Sequence, residues 1–413
     1  MPQFDWLITN GRIMDPATGL DQVADLGIQD GKIAQIGSSL DRQSARQSYD
    51  ATNQLVVPGL VDLHIHGYQH ATPLGIDVDH YCLGRGVTTA VDAGSAGCDT
   101  FPGFRAYAAA NCRTRLLAFL HISRAGLAFS SRTGGDDPGE LETLKLVNQQ
   151  DCVECIEDNR DLIVGVKIRL SSSIADDGKT EAESYRRALA AAETVNLPLM
   201  THHNFSTIPL EDCPGRMRPG DIYTHCFHAY PSTILTPGAG KIEPSVIEAK
   251  QRGVLFDIGH GMGSFSWPVA ERCGNDGFWP DTISTDIHSL NMTGPVYDLP
   301  TVMTRLLHVG MPLMEIIRAT TIAPAKAIHW DDRIGSLEPG RDADVTVLSL
   351  ADASIQLEDC HAQLRTVSQQ LTAQAVWRGG EPGKVTQPDR LPNPETYQAA
   401  IDWRDKLIIR DEV

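Results

Sequence analysis

The chain has 413 residues and a mass of 45.0 kDa, more than a single small domain needs and enough for one large α/β barrel with a smaller module. Its 35 Lys and Arg stand against 53 Asp and Glu, and a formal net charge of −18 argues against nucleic acid or an anionic membrane as partner. Nine irregularly spaced cysteines fit a reduced, cytoplasmic protein better than a disulfide framework. The opening residues Met1 to Trp6 lack the basic and apolar regions of a signal peptide, and no run of about 18 apolar residues reads as a membrane span.

Residues 1–57 read as short strands with tight turns. Phe4 to Thr9 and Arg12 to Asp15 flank Asn10-Gly11, while Val23 to Ile28 and Lys32 to Ile36 flank Asp30-Gly31. Both dipeptides are hairpin signals between alternating apolar segments. Similar character returns at 331–380, where Gly335 to Asp344 leads into Val345 to Leu348 and later Ala373 to Arg378. The two pieces are expected to form one small discontinuous β-sandwich domain. Residues 381–413, rich in Pro and charge with a possible helix over 394–407, read as a C-terminal extension.

Between them, 58–330 alternates apolar runs with helical patterns, the signature of parallel βα units. Eight candidate strands follow in order: Leu60 to His66, Val87 to Ala93, Arg115 to Ile122, Leu162 to Leu170, Leu197 to His202, Asp221 to Phe227, Val254 to Gly259 and Thr282 to Ile287. The clearest helix is Glu181 to Val195, rich in Ala, Glu and Arg. The fold class expected is α/β, a (β/α)8 TIM-type barrel with chemistry at the C-terminal strand ends. Cys152 and Cys155 form a lone CxxC in a helical, charged segment and read as structural. Segments 123–138 and 230–244, with several Gly, Pro and Ser, are candidate lids.

Chemistry collects at the predicted strand ends. His64 and His66, two apart on a strand, point the same way and make either half of a metal site or a hydrogen-bonded core pair. Lys167, between Val166 and Ile168, must reach solvent or be chemically occupied; as a CO2-derived carbamate it would bridge two cations. His202-His203, His225 and Asp286 follow on later strands.

This ordered set, with Val91 to Gly97, Val166 to Arg169, Arg218 to Phe227 and Phe256 to Gly261, resembles the amidohydrolase superfamily, in its dihydroorotase-like deacetylase branch that includes acetyl-mandelate esterases. The likeness spans nearly all of residues 1–380. It implies two divalent metal ions, with zinc the expected ion: His64, His66 and Asp286 on one, His202 and His225 on the other, and carboxylated Lys167 bridging. His202, four residues after Pro198, takes the ligand position by register, although the branch places an apolar residue where His203 stands. His203 then becomes a neighbour or a substrate contact.

The resemblance further implies attack by a metal-bridging hydroxide, with Asp286 as catalytic base and then acid. Arg169 shares the face of Lys167, either to clamp a substrate carboxylate or to form a salt bridge in the barrel mouth. His288 has the same relation to Asp286, as substrate contact or strand cap, and His260 lies in a Gly-rich wall beside substrate. Asp92 and His121 read as hydrogen-bonding support. The expected reaction is cleavage of an N-acyl or O-acyl bond in a small carboxylate-bearing molecule. Alternatives are a cyclic-amide hydrolase, a mononuclear deaminase, which would need no bridging lysine, and a non-catalytic relative, which would have lost ligands. Relatives of this kind are commonly homo-oligomers.

Overall fold

In the first part of the chain five strands form: β1 (Phe4–Asp15), β2 (Leu20–Gln29), β3 (Lys32–Gly37), β4 (Ala45–Asp50) and β5 (Leu55–Pro58). The computed structural model describes residues 3–129, 139–236, 238 and 240–388. Asp30-Gly31 makes the expected tight turn, with φ of 50° and 71° as a two-residue hairpin of primed type requires. Asn10-Gly11 does not. Asn10 holds φ at 62°, but inside a register shift of the continuous strand β1 against β2, with its amide donating to Asp25 Oδ1 at 2.9 Å. The same backbone demand that an Asn-Gly turn meets is met here by a bulge.

The apolar run from Val56 to His66, continuous in sequence, is cut at Pro58-Gly59 into strands of two different sheets. A Cβ at Gly59 would stand 2.2 Å from Thr88 Oγ1 and 2.8 Å from Asp344 Cβ, so only glycine lets the chain pass this junction. Beyond it lie seven parallel strands: β6 (Leu60–Ile65), β7 (Val87–Gly97), β8 (Arg115–His121), β9 (Ile163–Leu170), β10 (Leu199–His203), β11 (Ile222–Thr224) and β12 (Leu255–Phe256). They pair in sequential order, and β6 to β8 are buried at every residue, as sheets covered on both faces are.

The segment 282–287 completes the curl. It bridges Asp257 through Thr282 on one side and Ile65 through Ile287 on the other, and the Asp286 amide donates to His64 O at 2.6 Å. The fold is thus an α/β architecture of TIM type. The last strands are shorter than their apolar runs because His225, Gly259 and Asp286 take φ of 68°, 46° and 49°, turning the ladder aside where the polar side chains begin. Helix Glu181–Val195 has the expected bounds and stops at Asn196, whose φ is 53°. Cys152 and Cys155 lie in helix Gln149–Glu157, and all nine cysteines are free thiols. Among the described residues no helix is long and apolar enough to cross a membrane.

The chain then returns to the first sheet with β13 (Val345–Glu358), β14 (Leu364–Arg378) and β15 (Glu381–Gly383). The sheet order is β15-β14-β13-β5-β1-β2-β3, with β4 on β1, so both ends of the chain share one sheet. Ile8, Ile13, Leu26, Val56, Val347 and Trp377 pack into its core. Residues 381–383, read from sequence as the start of an extension, are part of this sheet. The possible helix over 394–407 and residues 130–138 of the first candidate lid lie outside the described residues. Buried Arg115 on β8 ties the units together through Asp342 and Asp344.

Candidate metal centre

The C-terminal ends of the parallel strands surround a cavity of about 140 Å³. His64 from β6 with His66 just beyond its end, Lys167 and Arg169 from β9, His202 from β10, and Asp286 with His288 all line it. His225, after β11, is fully buried against them, its ring centroid 4.3 Å from that of His202 and 5.0 Å from that of His64. Strand alternation accounts for the pairs His64/His66 and Lys167/Arg169 facing one way.

Lys167 lies beside the first of two histidine clusters. His64 Nε2 and His66 Nε2 lie 3.3 Å and 3.1 Å from Asp286 Oδ1, and ligand atoms of these three residues fall within 4.8 Å of one another. Lys167 Nζ lies 3.3 Å from His64 Nε2, and among the described residues no carboxylate forms an ion pair with it. Burial lowers Lys167 to a pKa of about 8 and His225 to about 4, and takes His64 and His202 well below the ordinary imidazole value. Burial opposes ionisation of Asp286, yet His64 and His66 hold its carboxyl well below the usual range.

The chemistry of these donors fits a divalent cation. Each histidine has one nitrogen engaged away from the cluster: His64 Nδ1 with Thr224 Oγ1 at 3.1 Å, His66 Nδ1 with Ser95 Oγ at 3.0 Å, His202 Nε2 with Asn204 Oδ1 at 2.6 Å, and His225 Nδ1 with Gly259 O at 2.6 Å. The carbonyl acceptors of His202 and His225 demand N–H donors, which leaves a bare lone pair on the opposite nitrogen. Buried His225 Nε2 and Asp286 Oδ1 make no hydrogen bond among the described residues. Lone pairs converging without protons are what a cation requires and what an empty polar core avoids.

Two expected substrate contacts are not brought into the cavity. His203 alternates to the opposite face from His202, donating through Nε2 to Ile208 O at 2.9 Å and accepting from the Tyr223 hydroxyl at 3.1 Å. His260 stacks on Phe265 at 4.8 Å; its successors Met262, Gly263 and Ser264 form the wall instead. Arg169 reaches the cavity but is gripped by buried Glu140 through Nε at 2.5 Å and Nη2 at 2.7 Å, the salt-bridge alternative. His121 lines the cavity, and Asp92 accepts from the Gly67 and Ser95 amides at 2.7 Å each, holding the turn after His66.

Sequence reasoning missed Glu140, Asn204, Thr224 and two buried aspartates. Asp62 accepts from the Thr285 hydroxyl at 2.6 Å and amide at 3.0 Å, and Asp257 accepts from Thr224, Thr282 and Ser284. An acidic residue inside the apolar run Leu255 to Ile258 was the available signal, the same one that exposed Lys167.

The glycines after β12 serve close approach to ligands. A Cβ at Gly261, where φ is 56°, would sit 2.5 Å from Asp286 Oδ2. Gly261→Ala is therefore expected to lower kcat by about 100-fold, the scale on which a 1 Å misplacement acts, with the thermal midpoint changed far less. Steady-state kinetics beside a melting curve checks this.

Residues 266–383 match the model of the amidohydrolase family. Over 345 residues the chain is 35% identical to Deacetylase Atu3266 of Agrobacterium fabrum, covering 81% of this chain and 80% of that relative. The chain belongs to the amidohydrolase superfamily. Among solved structures, this amidohydrolase superposes on a dihydroorotase with TM-score 0.84 and 31% identity, covering 94% of this chain and 99% of the other. An adenine deaminase gives 0.83 and 30%, covering 92% and 99%. The amidohydrolase is a metal-dependent hydrolase.

Proposed function

We propose that this amidohydrolase holds two divalent cations, zinc foremost, and cleaves an N-acyl or O-acyl bond in a small carboxylate-bearing molecule. The observation that carries the reading is one buried lysine lining the same cavity as His64, His66, Asp286 and His202, with Lys167 Nζ 3.3 Å from His64 Nε2 and His225 packed on His202; His64, His66 and Asp286 are proposed for one ion, His202 and His225 for the other, and Lys167 for the bridge. The deacetylase relative supports acyl transfer to water, and the small cavity supports a small substrate.

Lys167 enters as a nucleophile toward CO2. Its neutral amine, made accessible by burial, forms the N–C bond and loses a proton, giving a carbamate with two oxygens. When bound, the cations supply Lewis acidity, lowering the pKa of a water and polarising the substrate carbonyl. Asp286, ionised and facing the same space, takes the proton of the attacking water and delivers it to the leaving nitrogen or oxygen. Arg169, held in orientation by Glu140, is the guanidinium of the described cavity wall and the proposed contact for a substrate carboxylate; His288 is proposed beside it.

A cyclic-amide hydrolase is the second reading, favoured by the dihydroorotase likeness, and it uses the same groups on a ring. Purified protein is expected to contain about two ions per chain by mass spectrometry of the metals. One ion or none would remove the binuclear reading. Rates on N-acyl amino acids, acylated hydroxy acids and cyclic amides, measured side by side, separate the acyl from the cyclic reading, and an aminopurine arm tests for deamination.

A further inference from the structure

The four histidines of the centre are not supported alike. His202 and His225 donate to neutral carbonyls, of Asn204 and Gly259, whereas His64 reaches a buried carboxylate through an intervening hydroxyl. We propose that Asp257 is a positioning residue that acts through Thr224 on His64, and thereby sets how tightly the His64, His66 and Asp286 position holds its cation. The proposal rests on the metal-binding part of the function proposed above.

Counting protons along the chain of contacts carries the argument. Asp257 Oδ2 accepts from Thr224 Oγ1 at 2.7 Å and from Ser284 Oγ at 2.6 Å, and Oδ1 accepts from Thr282 Oγ1 at 2.7 Å. Three hydroxyls converge on one fully buried carboxyl, the pattern of an ionised acceptor. Ser284 Oγ accepts from the Gly259 amide at 3.1 Å, so its single proton goes to Asp257. Thr224 likewise spends its only proton on Asp257. Its lone pair, 3.1 Å from His64 Nδ1, must then receive the imidazole proton. His64 is thereby fixed with Nδ1 protonated and Nε2 bare, and Nε2 faces Asp286 and Lys167 at 3.3 Å each. The negative charge of Asp257, passed through a polarised hydroxyl in a dry interior, makes that Nε2 a stronger donor.

Ser95 stands toward His66 as Thr224 does toward His64. It takes His66 Nδ1 at 3.0 Å, and its backbone amide donates to buried Asp92 Oδ1 at 2.7 Å. His64 and His66 thus each contact the hydroxyl of a residue that is itself bonded to a buried carboxylate, and the other two do not.

The test titrates metal-free, full-length protein with Zn2+ against a chromophoric chelator. Asp257→Asn and Thr224→Val are each expected to weaken one and the same Zn2+ binding step by about 10- to 100-fold, the usual cost of losing such support, and to leave the other step unchanged. The double variant should lose no more than the worse single one, because both break one chain of contacts. Thr282→Ala removes a hydroxyl from the other oxygen of Asp257 and should lower the melting midpoint while leaving Zn2+ affinity within about threefold. The 15N shifts of His64 in the metal-free protein should report an Nδ1–H tautomer that Thr224→Val scrambles. Wild-type Zn2+ affinity in folded Asp257→Asn, or equal losses in Thr282→Ala and Asp257→Asn, would overturn the proposal. If Asp257→Asn does not fold, Thr224→Val decides alone. Fewer than two ions in the wild type, with affinity still lost in Thr224→Val, would overturn the binuclear reading and leave the relay standing.

Discussion

Lys167→Ala is expected to reduce turnover by at least ~10³-fold and to lower the metal content, with partial recovery of both in millimolar acetate or propionate. The magnitude follows from removing a group proposed to bridge both ions, which costs more than the 10²- to 10³-fold of a single lost charge-stabilising donor. Recovery is expected because of the surroundings. A Cβ on Gly94 would stand 2.7 Å from Lys167 Cγ, so the truncated side chain leaves a slot with no side chain opposite it at residue 94. A short carboxylic acid can enter that slot and present two oxygens where the carbamate would have held them. Metal analysis and kinetics on the same samples check the result; a variant with full metal content and wild-type turnover would refute the bridging role. Stability should change little, since burial already disfavours the charged lysine.

Asp286→Asn should cost about 10²- to 10⁴-fold in kcat, the range assigned to a positioned proton carrier, with a much smaller change in KM. The carboxamide has nearly the carboxylate's shape, so the geometry held by the Asp286 amide to His64 O survives. What disappears is the capacity to accept a proton. In the wild type that capacity is present at neutral pH because His64 and His66 keep the carboxyl ionised against the burial that opposes it. Equal rates for wild type and variant would show that the proton moves by another route.

The candidate ligand set was legible because a barrel strand is apolar, and a His, Lys or Asp at its end is visible against that background. His64, His66, Lys167, His202 and Asp286 all line the cavity, with His225 packed against them. Register after Pro198 separated His202 from His203, and the substrate contact offered for His203 failed because its face of β10 meets Tyr223 rather than the cavity. His260 misled because a glycine-rich stretch does not announce which of its residues looks inward. The hairpin β13–β14 was foreseen only at its buried base, from Val345 to Leu348 and Ala373 to Arg378; its outer half alternates exposed polar residues that carry no core signal. The partners Glu140, Thr224 and Asp257 were illegible in a different way. Their role depends on pairings between segments 29 to 160 residues apart, which no local pattern encodes.

The cut at Pro58-Gly59 bears on the order in which a ribosome could deliver a working centre. The strand that leads into His64 and His66 is among the first to emerge, and although β7 pairs with one side of it soon after, the partners on its other side are made late. Val61 donates to Thr320 O, Gly59 to Asp344 O, Leu60 to Thr346 Oγ1 and His66 to Ile287 O. A nascent chain therefore displays His64 and His66 some 220 to 290 residues before these partners exist. Metal captured at that stage would be held without the segment 282–287, whose Asp286 and Ile287 bond the backbone of both histidines and are made some 220 residues later.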